Sequence, residues 1–238
     1  MPYRKLGERL LDRTMADSTR PSPAKLKPPS ERRRNVDRST TTRRQILEAT
    51  IRCLWKKGYG AVTNIRVAEA AGVSRGAMMY HFPTRQAMLV ATVEYAYEKL
   101  SEHRRAELAK VEPGLPRVRA LINLAWDTSR MPEGLALNEI RVGSRSDPEI
   151  ADAVTPMMRR IADDYARFIG RHVRAAGLTP DKELVGLMST TAMAVRALAI
   201  DRFTFPSPEM VGNVLDCLHA QMEDIIKRQL ASSAASDA

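Results

Sequence analysis

Hydrophobic residues recur along most of this chain at the spacing of one face of an α-helix. The pattern is clearest at about 148–176, 180–203 and 208–230, and shorter stretches follow it at 116–130 and 133–144. Alternating runs of β-branched residues, which would indicate strands, are scarce. The pattern therefore predicts an all-α fold of about nine helices.

The first ordered helix is expected to begin near Thr41. Thr42 and Gln45 have the spacing of a capping box, in which each side chain satisfies a backbone N–H at a helix start. An apolar face follows as far as Gly58, where a glycine can end the helix. Before Thr41 the chain is rich in Pro, Ser, Thr and Arg and poor in apolar groups, so residues 1–40 are expected to be disordered.

Three later helices carry a repeated start signal. Asp147-Pro148-Glu149, Thr179-Pro180-Asp181 and Ser207-Pro208-Glu209 each place a capping oxygen before a Pro at the first helical position, with an acid in the first turn. Gly177 is the expected cap at the end of the first of these helices. Pro156 inside it predicts a kink or a restart.

Two short helices with a tight turn between them are predicted over residues 67–82. Thr63 can cap the first of them, Gly72 can adopt the left-handed turn between them, and Ser74 can cap the second. The small side chains of Ala68 and Ala71 allow the helices to approach closely. This arrangement is a helix-turn-helix, in which the second helix enters the major groove of DNA.

At this point the chain resembles the TetR family of transcriptional regulators. The matching elements are Lys57-Gly58-Tyr59, Thr63, the segment from Ala70 to Gly76, and His81-Phe82-Pro83-Thr84-Arg85, in fixed order within residues 41–100. The resemblance implies an N-terminal DNA-binding domain of three helices and a helical domain that binds a small effector and forms a dimer.

The same resemblance implies a set of DNA-binding residues. They lie at the start of the first helix, at the cap of the second, along the recognition helix and at the start of the fourth: Thr42, Arg43, Thr63, Ser74, Arg75, Gly76, Ala77, Tyr80, His81 and Arg85. Hydroxyl groups and arginines suit phosphate oxygens, and Arg75 also suits guanine. Two positions depart from the family pattern, because Met79 stands where Tyr is usual and Ala77 where Thr is frequent.

Charge is concentrated at the N-terminus. Residues 1–44 hold thirteen Lys and Arg against five acids, a net charge of +8 out of +10 for the chain. A basic arm ahead of a folded domain suggests contact with phosphates or with the minor groove, with Arg32–Arg34 as the best candidates. A solvated tail with no partner explains the charge equally well, and Met15 is an alternative start of the protein.

Other classes of protein are disfavoured by the residues present. Cys53 and Cys217 form neither a disulfide framework nor a metal set, which suits a reducing cytoplasm. The apolar stretch 184–200 is interrupted by Arg196 and is predicted to be a buried bundle helix, so no membrane partner is expected. No nucleophile elbow, phosphate loop or metal spacing of histidines occurs, which predicts no enzyme, no metal and no cofactor.

The C-terminal helices supply two further sets of candidates. One set could line an effector pocket: Trp126, Arg141, Met157, Met158, Tyr165, Met188 and Met193. A stripe of Met residues is, however, also common as core filler. The other set could form a dimer interface: Leu198, Val211, Val214, Leu215, Leu218, Met222 and Ile225. These side chains could instead pack only on their own subunit.

Together these observations predict four segments: a basic arm at 1–40, a DNA-binding domain at 41–101, an effector-binding and dimerisation domain at 102–230, and a frayed tail at 231–238. The expected function is a sequence-specific transcriptional regulator that binds double-stranded operator DNA as a homodimer. We expect a repressor released by a small effector. A constitutive or architectural DNA-binding protein without an effector is the alternative.

Overall fold

Nine α-helices and two short 3₁₀ turns make up the part of the chain that the computed structural model describes, residues 29–201, 203–204 and 207–236. The helices are α1 Pro29–Lys57, α2 Asn64–Ala71, α3 Arg75–His81, α4 Arg85–Ala109, α5 Leu115–Arg130, α6 Pro132–Gly143, α7 Pro148–Ala175, α8 Lys182–Asp201 and α9 Pro208–Ser236. No strand occurs in these ranges. The predicted all-α class and the number of helices are confirmed.

Helix α1 begins at Pro29 rather than near Thr41. Pro is favoured at the first helical position, and residues 30–57 contain neither Pro nor Gly, so nothing in that stretch interrupts the helix. Thr42 therefore lies inside α1 and does not cap it. The prediction of disorder was wrong for residues 29–40. Residues 1–28 of the basic arm and the side chains of Arg32–Arg34 lie outside the part of the chain that the structure describes.

The predicted turn between α2 and α3 is confirmed. The Thr63 hydroxyl accepts a hydrogen bond from the Arg66 amide (3.3 Å), and the Ser74 hydroxyl accepts one from the Ala77 amide (3.1 Å). Gly72 has φ +66°, a left-handed conformation that favours glycine, and closes α2.

Two of the three predicted start signals are confirmed and one is shifted. Asp147 Oδ1 accepts from the Ile150 amide (3.2 Å) at the start of α7, and the Ser207 hydroxyl accepts from the Met210 amide (3.2 Å) at the start of α9. At α8 the cap is Asp181, which accepts from the Leu184 amide (2.9 Å). Thr179 lies outside that helix because the Gln229 side chain bonds to both its amide and its carbonyl.

Of the two longest C-terminal helices, α7 ends within one residue of its predicted end, whereas α9 runs further than predicted. Helix α7 is continuous through Pro156, and Gly177 (φ +75°) follows its end as expected. Helix α9 continues to Ser236 rather than ending near residue 230. The Ala-rich stretch 231–235 favours helix, so the expectation of a frayed tail was wrong for residues 231–236, while residues 237–238 lie outside the described residues.

Apolar side chains within residues 39–238 form two buried clusters. The first holds α1–α4 together through residues such as Leu54 and Met78, and it extends to Ile140 of α6 and Ile150 of α7. The second joins α5, α7, α8 and α9. Helices α1–α4 thus share a core with α6 and α7, and the predicted boundary at residues 101–102 falls within the continuous helix α4.

Candidate nucleic-acid interface and internal cavity

The recognition helix α3 presents one buried face and one exposed face. Met78 is buried in the first cluster, whereas Arg75, Gly76 and Tyr80 are exposed, with Tyr80 78% accessible. Arg75 has no hydrogen bond or ion pair with any described residue, so its guanidinium is available to an external acceptor. The exposed face contains the residues that the sequence assigned to base edges and phosphates.

Residues from α1 and α2 lie next to this face. The Arg43 guanidinium sits 4.9 Å from the centre of the Phe82 ring, at the end of α3. Asn64, which the sequence analysis did not single out, donates from Nδ2 to the Phe82 carbonyl (3.3 Å) and so ties the start of α2 to the end of α3. Arg43, Thr63 and the exposed face of α3 therefore belong to one continuous region.

His81 is less suited to an ionic contact than its place in the motif suggests. Burial lowers the pKa of His81 from its ordinary value, and the positive charge of Arg43 lowers it further. A neutral imidazole at physiological pH can still donate one hydrogen bond, but it adds no charge toward phosphate.

Arg85 does not fit its predicted phosphate role. Its Nε donates to the Val62 carbonyl (2.9 Å), one Nη donates to the Tyr59 hydroxyl (2.9 Å) and to Asp147 Oδ2 (3.1 Å), and the other reaches the Tyr59 carbonyl (3.3 Å). The guanidinium also lies 4.2 Å from the centre of the Tyr59 ring. The side chain is therefore engaged inside the protein, because Asp147, 62 residues further along the chain, lies beside it.

Arg85, Tyr59 and Asp147 form a polar joint between the turn after α1, the start of α4 and the start of α7. The Tyr59 hydroxyl donates to Asp147 Oδ2 (2.9 Å), and the Tyr59 amide donates to Glu139 of α6 (2.9 Å). Burial raises the pKa of Tyr59, and the hydrogen bond to Asp147 adds to that rise. The hydrogen bond from the Ile150 amide lowers the pKa of Asp147, as do its bonds to Tyr59 and Arg85.

The Tyr59 ring also needs the glycine at the end of α6. A Cβ placed on Gly143 would lie 2.1 Å from Cγ of Tyr59, far closer than real atoms approach. The joint is thus closely packed as well as hydrogen-bonded. Sequence analysis missed it because its members are up to 88 residues apart.

A cavity of about 410 Å³, open to solvent on one side, lies among α4, α5, α6, α7 and α8. Five predicted pocket residues line it: Arg141, Met158, Tyr165, Met188 and Met193. Trp126 and Met157 do not line it, so the prediction was wrong for these two. Helix α5 faces the cavity with Ala125, Thr128 and Ser129, which turns Trp126 away, and Met157 packs against the first apolar cluster.

Most of the residues that give the cavity its polarity were not predicted. Arg104, Asn138 and Arg196 line it together with Arg141. The signal was present for Arg196, which interrupts the apolar pattern of α8, but a single arginine in such a pattern does not reveal what it faces.

The predicted dimer interface needs correction for four residues. Leu218, Met222 and Ile225 belong to the second cluster of their own protomer, and Leu198 is only 7% exposed. The apolar stripe of α9 is instead covered by α5 and α8, whereas Val211, Val214 and Leu215 remain partly accessible. On α8 and α9, the exposed apolar side chains include Val185, Ile200 and Met210.

Within the described ranges, α8 is the one helix long and apolar enough to cross a membrane by length and composition. Its residues Leu184, Leu187 and Met188 are buried in the second cluster. One face of α8 thus packs within the bundle, whereas Val185, Met193 and Ile200 on the same helix are exposed.

Comparison with known proteins identifies the N-terminal helices. Residues 46–92 match the sequence profile described as "Bacterial regulatory proteins, tetR family". The HTH-type transcriptional regulator CymR of Pseudomonas putida is 31% identical over 130 residues, which cover 55% of this chain and 64% of CymR. The chain thus spans a little under two thirds of that relative.

Solved structures share the fold over most of the chain. A TetR transcription regulator from Haloarcula marismortui matches with TM-score 0.62 and 18% identity, covering 78% of this chain and 98% of that one. A transcriptional regulator from Saccharomonospora viridis in complex with choline matches with TM-score 0.59 and 21% identity, covering 79% and 96%.

Proposed function

We propose, from the premise that residues 46–92 form a DNA-binding domain of the TetR family, that this protein is a sequence-specific transcriptional regulator controlled by a small molecule. The observation that carries the proposal is the helix-turn-helix with the free, exposed Arg75 at the start of α3. Base edges in the major groove accept hydrogen bonds from such an arginine, and the Thr63 and Ser74 regions suit phosphates.

DNA binding is tested with fluorescently labelled fragments of the region upstream of the protein's own gene. Arg75→Ala should weaken retention at least tenfold, because a base or phosphate contact is removed. Arg159→Ala, which removes the same charge from the exposed surface of α7, is the matched control and should bind as the wild type does. Equal affinity of all three proteins would contradict the proposal.

The protein is proposed to act as a homodimer in the cytoplasm. Two recognition helices reach successive half-sites about 34–36 Å apart only when two subunits are paired. The exposed apolar side chains of α8 and α9, with Ile200 at 43% and Met210 at 38% accessibility, offer a surface for the partner copy. This surface replaces the buried stripe predicted from sequence.

Sedimentation measures the oligomeric state directly. Ile200→Glu should shift the protein toward the monomer, since a charge placed in an apolar interface is not compensated. Val142→Glu is the control, because Val142 is an equally exposed apolar residue on α6. Dimer dissociation in both variants, or in neither, would refute this choice of surface.

The cavity favours a ligand-responsive regulator over a constitutive DNA-binding protein. Its volume lies in the range of small-molecule sites. The fold also accommodates a small molecule elsewhere, since the S. viridis structure holds choline. We infer that the protein is a repressor that releases its operator when an effector fills the cavity.

Two helices connect the cavity to the DNA-binding helices. Helix α4 lines the cavity with Tyr97 and Arg104 and begins at Arg85 in the polar joint, while α7 lines it with Tyr165 and begins beside Asp147. An effector that prefers a different arrangement of α4 and α7 would change the spacing of the paired recognition helices. Operator affinity measured with and without a bound effector tests this, and equal affinities would refute it.

A further inference from the structure

The charged side chains that line the cavity are all arginines. Arg104, Arg141 and Arg196 line it, and no Asp or Glu is among the lining residues. No carboxylate of the described residues forms an ion pair with any of the three. Arg104 is buried, Arg196 is partly buried and Arg141 is exposed. A charge shielded from water without an ion partner is costly, so three like charges around one cavity call for an explanation.

Arg104 is the most deeply buried of the three, with 6% of its surface accessible. One Nη donates to the Ser101 hydroxyl (2.8 Å), but Nε is buried without a hydrogen-bond partner. The guanidinium lies 5.2 and 5.3 Å from the ring centres of Tyr165 and Tyr97. These contacts orient the side chain and leave part of its donor capacity unused.

Arg141 has only weak partners. It reaches the Asn138 amide oxygen at 3.4 Å and the Met158 sulfur at 3.8 Å. Asn138 is itself 6% accessible, and its buried Nδ2 has no hydrogen-bond partner. A second donor beside Arg141 thus also lacks an acceptor.

Arg196 increases the positive charge at the same place. Burial lowers the pKa of Arg141, and the positive charge of Arg196, which lines the same cavity, lowers it further. An external group that supplies negative charge and acceptor oxygens would remove this repulsion and satisfy the free donors together.

Much of the remaining lining is apolar. It includes Leu100, Leu137, Ile161, Met158 and Met188. A cavity of about 410 Å³ is much larger than an inorganic anion needs. The lining therefore suits a molecule with one acidic end and one apolar body.

We propose that this cavity binds a small organic acid, with its carboxylate held by Arg104, Arg141 and Arg196 and its alkyl or aryl body against the apolar lining. A carboxylate matches the planar fork of a guanidinium, which can donate two parallel hydrogen bonds to it. The inference rests on the proposed effector site and specifies its ligand class.

The test uses the full-length wild-type protein without DNA and acid–amide pairs of equal shape. The probes are 4-methylbenzoate, phenylacetate and octanoate, each with its primary amide, and octylammonium as a cation of similar size. Titration calorimetry should show at least one acid bound tenfold or more tightly than its amide. Tighter binding of the amides or the cation, or no binding of any acid, overturns the proposal.

Variants then assign the carboxylate contact. Arg141→Met and Arg196→Met should each weaken acid binding at least tenfold without lowering the melting temperature of the ligand-free protein, because each removes one of three like charges that have no acidic partner. A purely structural arginine would instead lower that temperature. Arg105→Met, next to Arg104 but exposed, is the control and should leave acid binding unchanged.

Two results would count against the site itself. Undiminished acid binding in both Arg141→Met and Arg196→Met would place the acid elsewhere, and a lowered melting temperature in both would give the arginines a structural role. Because binding is measured without DNA, a failure to bind operator fragments would refute the proposed regulator and leave the result for the ligand class intact.

Discussion

Replacing Gly143 by alanine should break the packing of the polar joint. The new Cβ would lie 2.1 Å from Cγ and 2.4 Å from both Cδ atoms of the Tyr59 ring. The ring cannot move freely, since its hydroxyl is bonded to Asp147, its backbone amide is bonded to Glu139, and Arg85 covers one face. Either α6 shifts or the Tyr59 hydrogen bonds are lost.

The expected cost follows from two opposing effects. Overpacking costs about 1–3 kcal/mol, and each lost hydrogen bond adds about 1 kcal/mol. Alanine regains up to about 1 kcal/mol over glycine in a helix. Gly143→Ala should therefore lower the free energy of unfolding by about 2 kcal/mol, measured by urea denaturation monitored by circular dichroism.

Controls separate the clash from a general effect of the substitution. Gly60→Ala lies in the same turn as Tyr59 with no atom within 4 Å of the added Cβ, and should change stability by less than about 0.5 kcal/mol. Adding Gly143→Ala to a Tyr59→Ala protein should cost little, because the ring is gone. If Gly143→Ala matched the wild type, or cost the same with and without the ring, the packing argument would fail.

Three further predictions concern the caps, the joint and the core. Ser74→Ala should destabilise the protein by about 1 kcal/mol through loss of the α3 cap, while Ser74→Asn should recover most of it, as urea titration will show. The lowered pKa of Asp147 means that its ionised form stabilises the fold at neutral pH, and that this contribution is lost as the pH falls through that pKa. The difference in unfolding free energy between wild type and Asp147→Asn should therefore shrink on acidification. A difference that stays constant with pH would contradict the ionic role. Met222→Ala should cost about 2–5 kcal/mol within each subunit, and the loss should be independent of protein concentration, since Met222 is fully buried in its own protomer.

Local chemistry made the helix-turn-helix predictable. Thr63, Gly72 and Ser74 each act on backbone groups within a few residues, so their roles follow from the sequence itself. The shifted cap of α8 could not be predicted in this way. Thr179 is held outside that helix by Gln229, which lies 50 residues further on.

Long-range partners also explain the other corrections. The motif places Arg85 at a helix start near DNA, but only the folded chain brings Asp147 and Tyr59 to its guanidinium. An apolar stripe such as that of α9 indicates that a face is covered, not which helix covers it, and Met222 is covered by its own subunit. The pocket was predicted in part because its apolar members repeat along helices, whereas its arginines came from three different helices.

The carboxylate of Asp147 performs two tasks with its two oxygens. Oδ1 caps α7, and Oδ2 receives Tyr59 and Arg85. Serine, threonine or asparagine could cap α7 but could not also accept from Tyr59 and Arg85 as a carboxylate does. Saturation mutagenesis should therefore find this position far less tolerant than an ordinary helix cap. A chimera that joins foreign N-terminal helices to α5–α9 of this chain would have to carry Tyr59 and Arg85 with it, or redesign the start of α7.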